Sequence, residues 1–120
     1  MTRFHCTKST DKAARKAKHS VVDECSHLKA VLRANPEYGE VVPGTRGLRK
    51  MRVRVKGFRG QRGGYRAIYS KHDSEDGIRI AFHSVYSKSD VADLDHTQYA
   101  KLAEESAALA KNLDSVNWED

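Results

Sequence analysis

The sequence contains no apolar run near the ~18–20 residues that a bilayer-crossing helix requires, so no transmembrane segment is expected. Its first twenty residues, MTRFHCTKSTDKAARKAKHS, are basic but have no apolar central stretch. That argues against a secretory signal. Cysteine is scarce. Cys6 and Cys25 stand far apart with no metal-ligand spacing, and the six histidines form none either. No metal and no cofactor are therefore expected. Without a secretory signal the thiols should be reduced in a cytoplasmic setting, with Cys25 acting as a small core residue. Internal repeats and low-complexity tracts are missing, which removes solenoids and disordered arrays from consideration.

What is present is charge, unevenly placed. The 120 residues fit a single domain. Charged residues make up 32% of the chain, and the net charge is +6. Residues 46–71 hold ten basic residues and no acidic one, whereas residues 90–120 hold eight acids against Lys101 and Lys111. A basic segment of one sign beside an acidic tail points to a polyanionic partner, nucleic acid being the commonest. The basic surface expected to bind RNA comprises Arg46, Arg49, Arg54, Lys56, Arg59 and Arg62.

Periodicity divides the chain into elements. A short strand is expected around Phe4, followed by a weakly defined stretch up to residue 20. Val21, Val22, Cys25, Leu28, Val31 and Leu32 recur at helical spacing, and Asn35-Pro36 should end that helix. A turn-rich connection, Tyr38 to Gly44, comes next. Residues 48–56 then alternate, with Met51, Val53 and Val55 on one side and Lys50, Arg52, Arg54 and Lys56 on the other. That is the pattern of a half-buried strand. A glycine-rich hairpin loop covers 57–64. Further strands are expected at 65–70 and 78–86, with a polar turn at 71–77. Asp95 and Gln98 have the spacing of a capping box for a closing helix. Residues 114–120 should be a loose tail. The order predicts an α+β fold with helices on one side of an antiparallel sheet.

Three constellations have chemical potential. Lys50, Arg52 and Arg54 form a ridge with about 7 Å between successive side chains, suited to a line of phosphates. Arg66 follows Gly63-Gly64-Tyr65 at a strand start, an exposed position next to that ridge if the hairpin pairs as expected. Its guanidinium suits bidentate phosphate contact. Tyr86 lies at the end of the last strand with Lys88 close behind. It has three readings: a general base with a pKa lowered by neighbouring cations, a platform for stacking on a base, or an aromatic that closes the core. Regular alternation would put His83 and Tyr86 on opposite faces, leaving His83 packed or at the surface but outside the site.

Taken in order, these pieces resemble a family. Pro43-Gly44-Thr45-Arg46-Gly47-Leu48-Arg49-Lys50-Met51-Arg52, then Gly63-Gly64-Tyr65-Arg66-Ala67-Ile68-Tyr69, then Tyr86-Ser87-Lys88-Ser89 with Asp93-Leu94, look like the HigB branch of the RelE toxin superfamily. The resemblance covers residues 36–95, about half the chain. It departs at Arg46, where the family often has glycine, and at Val53, where an aromatic is frequent. It implies a RelE-like fold, with helices packed on a three- to four-stranded antiparallel sheet and a C-terminal helix. It also implies metal-independent cleavage of mRNA in the A site of the ribosome and neutralisation by a cognate antitoxin.

Carried onto this chain, the motif gives Lys50, Arg52, Arg66, Tyr86 and Lys88 as candidate catalytic residues. An RNA 2′-hydroxyl would attack the adjacent phosphate, yielding a cyclic phosphate and a free 5′-hydroxyl. Lys50 or Tyr86 would assist deprotonation, Arg52 and Arg66 would stabilise the phosphorane, and Lys88 would position or protonate. Two rivals share the scaffold: a ParE-like toxin that binds gyrase and cuts nothing, and a non-catalytic RNA-binding member.

Overall fold

Alternating sequence does form the centre of the molecule. In a computed structural model that describes residues 1–7, 21–53, 65–87 and 93–119, the strands are β1 (Thr2–Cys6), β2 (Glu40–Val41), β3 (Arg49–Val53), β4 (Tyr65–Ser74) and β5 (Gly77–Ser87). Two helices, α1 (Val21–Ala34) and α2 (His96–Lys111), accompany them. The sheet order is β1-β5-β4-β3-β2. Pairings β2–β3, β3–β4 and β4–β5 are antiparallel, and β1 joins β5 in parallel. The protein is thus α+β with a five-stranded mixed sheet, larger than the three- or four-stranded antiparallel sheet expected.

Each added strand has a local cause. Phe4 is buried and stacks on Phe82 with ring centroids 6.0 Å apart, which draws β1 onto the edge of β5. At the opposite edge, the Arg49 guanidinium donates to the carbonyls of Glu37 and Gly39, at 3.2 and 2.7 Å. The buried Tyr69 hydroxyl accepts from Gly39 N–H and donates to the Pro36 carbonyl. Held from both sides, the connection after α1 lies flat enough to pair with β3.

The helices cover opposite faces rather than one. Leu28 and Leu32 of α1 pack with Phe4, Met51, Ala67, Tyr69, Ile80, Phe82 and Val85. Leu102 of α2 packs with Leu48, Ile68 and Tyr86. Ile68 sits between Ala67 and Tyr69 in β4, so strand alternation sends it to the other side. The sequence read as one-sided because β3, its most regular strand, has charge along its second face.

Helix limits follow local chemistry. α1 stops at Ala34, ahead of Asn35-Pro36. α2 begins with a complete capping box: Gln98 N–H donates to Asp95 Oδ1, and Asp95 N–H donates to Gln98 Oε1. The polar stretch 71–77 is mostly strand, with β4 running to Ser74, because Lys71 and Asp73 continue the pairing opposite Ile80 and Ile78. The C-terminal segment is not loose. After a 3₁₀ turn at Leu113–Ser115, Trp118 Nε1 donates to the Leu113 carbonyl. Phe4 and Glu119 exchange two backbone hydrogen bonds, which satisfies the outer edge of β1. Among the described residues, no helix is long and apolar enough to cross a membrane.

Gly39 permits the close approach at the β2 edge. A Cβ there would meet Tyr69 Cε1 at 2.8 Å and the Lys50 carbonyl oxygen at 2.9 Å. One neighbour is backbone and the other a fully buried ring. Gly39→Ala should therefore cost about 1–3 kcal/mol, the range for overpacking. Urea unfolding measures it, and an unchanged midpoint would mean that the edge is free to move.

Candidate functional site

The α2-facing side of the sheet brings the basic ridge to the hairpin. Register alone puts Arg52 opposite Arg66, and Arg66 opposite Tyr86. Cross-strand partners share a face, so these three side chains form one row over three strands. Lys50 belongs to the next row, opposite Ile68 and Ser84. Four of the five residues that the motif marks are thereby neighbours. Lys88, the fifth, lies outside the described residues, as do Arg54, Lys56, Arg59 and Arg62.

Arg49 does not join this group. Its partner is Tyr69, on the α1 side, and its guanidinium holds the carbonyls already named. It clamps the edge of the sheet. Arg46 is exposed in the loop before β3 and has φ of 61°, a left-handed conformation between Gly44 and Gly47. Glycine would adopt it with less strain.

Two expectations about the row itself change. Arg66 is 7% exposed, not an open surface residue. Tyr86 carries no lowered pKa; its hydroxyl is pushed up to about 12, chiefly by burial and further by Asp93. Arg66 pulls the other way, but less strongly. The phenol donates to the Asp93 carboxylate at 3.1 Å, so Tyr86 is a hydrogen-bond donor at neutral pH.

Asp93, part of the motif but given no role by it, stands at the centre of the site. Its Oδ1 accepts from Tyr99 OH at 2.6 Å, Leu94 N–H at 2.8 Å and Tyr86 OH at 3.1 Å. Its Oδ2 lies 3.4 Å from Lys50 Nζ. The hydrogen bond from Tyr99 leads in holding this carboxyl below its usual range, with Leu94, Tyr86 and Lys50 adding to it. Tyr99 is pushed upward by burial and by the same carboxylate. The capping box of Asp95 and Gln98 already fixed the start of α2, with Asp93 two residues before the cap and Tyr99 in the first turn. Their approach to Lys50, 43 residues earlier, had no local signal.

A second polar chain runs under α2. Glu105 Oε1 lies 2.6 Å from His83 Nδ1, His83 Nε2 lies 2.7 Å from Ser70 Oγ, and Ser70 Oγ lies 2.8 Å from His72 Nε2. With both rings neutral, one assignment satisfies every group. His72 donates to Ser70, Ser70 donates to His83, and His83 donates to Glu105. His83 therefore faces α2, as Tyr86 does. The ladder explains this: Ile68 pairs with Ser84 but Tyr69 pairs with Phe82, so His83 is an extra residue in β5. Such a bulge resets the alternation that would have separated the two side chains.

Among the described residues, no group of three or more His, Cys, Asp or Glu side chains is arranged to hold a metal ion. No protein-family model matches the chain.

Burial, helped by His83 and opposed by Asp73, holds His72 below the ordinary imidazole value of 6.5. The unfolded chain therefore binds this proton more readily than the folded one. Stability associated with neutral His72 is complete above that value and is lost as pH falls through the lowered folded pKa. Denaturant midpoints should drop as pH falls below the ordinary imidazole value of 6.5, and His72→Gln should flatten the slope. An equal slope in the variant would assign the dependence to another group.

Proposed function

We propose that the chain is an RNA-directed toxin of the RelE/HigB type, a ribosome-dependent mRNA endonuclease acting in the cytoplasm. The observation that carries this reading is the Arg52–Arg66–Tyr86 row with Lys50 next to it. A row of cations on a sheet face suits a phosphate undergoing in-line displacement, where charge grows on the non-bridging oxygens. Arg52 and Arg66 supply that stabilisation. The RNA 2′-oxygen bonds to phosphorus, the bond to the 5′-oxygen breaks, and the products are a cyclic phosphate and a 5′-hydroxyl. Tyr86, protonated at neutral pH, donates a hydrogen bond or a proton rather than taking one. Proton removal from the 2′-hydroxyl then falls to Lys50, and Lys88 assists the leaving group. Placing mRNA in line in the A site is the contribution of the ribosome. A cognate antitoxin with an acidic segment would compete for the same face.

The engagement of Lys50 by Asp93 favours a second reading, a non-catalytic RNA-binding protein of the same fold. Expression without antitoxin separates the two. The catalytic reading expects growth arrest with cleaved ribosome-bound mRNA. Since Arg66 is buried, Arg66→Lys is the safer probe: it keeps the charge but removes the two-pronged contact. Arg66→Lys and Arg52→Ala should each lower cleavage on the order of 10²-fold with melting temperature nearly retained. Arrest with intact mRNA, or arrest of replication, would end the nuclease reading; the latter would favour a gyrase-binding toxin of the ParE type.

A further inference from the structure

Asp93 stands where an anion would be expected to bind. Three side-chain donors converge on it from three elements: Lys50 Nζ from β3, Tyr86 OH from β5 and Tyr99 OH from α2. All three lie on the α2-facing side of the sheet, next to the Arg52–Arg66 pair. The seat is open to water, since the Asp93 side chain is 52% exposed and that of Lys50 32%. An ion pair so exposed has little hold of its own. A phosphate offers the same donors more acceptor oxygens, and its neighbours along a strand would continue toward Arg52.

We propose that Lys50, Tyr86 and Tyr99 form a phosphate subsite for RNA, and that Asp93 is the anion occupying it in the free protein, exchanged for an RNA phosphate on binding. This rests on the RNA-directed reading and adds Tyr99 to the site. Tyr99 thereby gains a binding role beside its packing against the Leu48, Ile68, Tyr86 and Leu102 cluster. Asp93 becomes a competitor that sets how strongly RNA must bind.

The test uses a fluorescein-labelled decauridylate, 2′-O-methylated so that it cannot be cleaved, and the full chain. In Asp93→Asn the carboxamide oxygen still accepts from both tyrosines, but Lys50 loses its counter-charge. Affinity should rise roughly 2–5-fold, the scale of one exposed ion pair, and fall more steeply with salt. Tyr99→Phe should lower affinity, since phosphate loses a donor. A merely structural role for Asp93 would make both variants bind worse or alike. The unaltered protein supplies an independent readout: the Asp93 carboxyl carbon, followed by NMR, should titrate closer to an ordinary aspartate once the oligonucleotide is saturating. If the parent binds the oligonucleotide, while Asp93→Asn binds no tighter and the carboxyl titration does not move, the subsite is wrong and the RNA reading stands. If parent and variant alike fail to bind at any salt concentration, both are wrong.

Discussion

The orientation of Tyr86 is decided by a single extra residue in β5. Side chains along a strand alternate strictly, so every position after an insertion changes face. Up to Phe82, β5 sends its even-numbered apolar residues, Ile80 and Phe82, toward α1. Beyond His83 it is Val85 that packs toward α1 and Tyr86 that packs toward α2. Without the bulge the phenol would point into the α1 core, away from Arg66 and Arg52. The row from β3 to β5 that defines the candidate site would then contain only its two arginines.

A bulge is costly unless its side chain is satisfied, and the chain under α2 does this. His83 is fully buried, with one ring nitrogen at Ser70 and the other at Glu105. Leaving either nitrogen unpaired would cost roughly 1–3 kcal/mol. The network thus fastens three elements at the place where β5 changes phase. It also ties the middle of α2 to the sheet, while Asp93 and Tyr99 tie its start to Lys50 and Tyr86. α2 is therefore fixed at two points along the same face, and the geometry of the site depends on both.

Much of this organisation was legible locally. The α1 limits, the capping box of α2 and the alternation in β3 depend on neighbours within a few residues, so sequence spacing records them. The α+β class followed from that order. The sheet edges did not, because β1 forms through a ring on a distant strand and β2 through the reach of Arg49. Nor did the bulge, which shows only when Tyr69 is seen opposite Phe82. For the site, alternation put Lys50 and Arg52 on one ridge and glycines put Arg66 next to it. The missing part was the counter-charge. A run of ten basic residues without an acid looks unopposed along the chain, yet in space Asp93 reaches back to Lys50.

That contact bears on how such a face remains foldable. Like charges aligned across neighbouring strands repel, and Arg52 directly opposite Arg66 is such a pair. Arg66 is also buried, which removes water that would otherwise screen it. A carboxylate at the end of the ridge lowers the repulsion without entering the row, and the two tyrosine hydroxyls keep it there. The same arrangement leaves Arg66 largely dehydrated, a condition under which a charged donor stabilises developing negative charge more than it could in water. A fully solvated ridge would fold with less tension but would offer an incoming anion less. Buried Arg66 opposite exposed Arg52 is thus the place where the demands of folding and of anion recognition diverge, and Asp93 adds a negative charge at Lys50 in the next row.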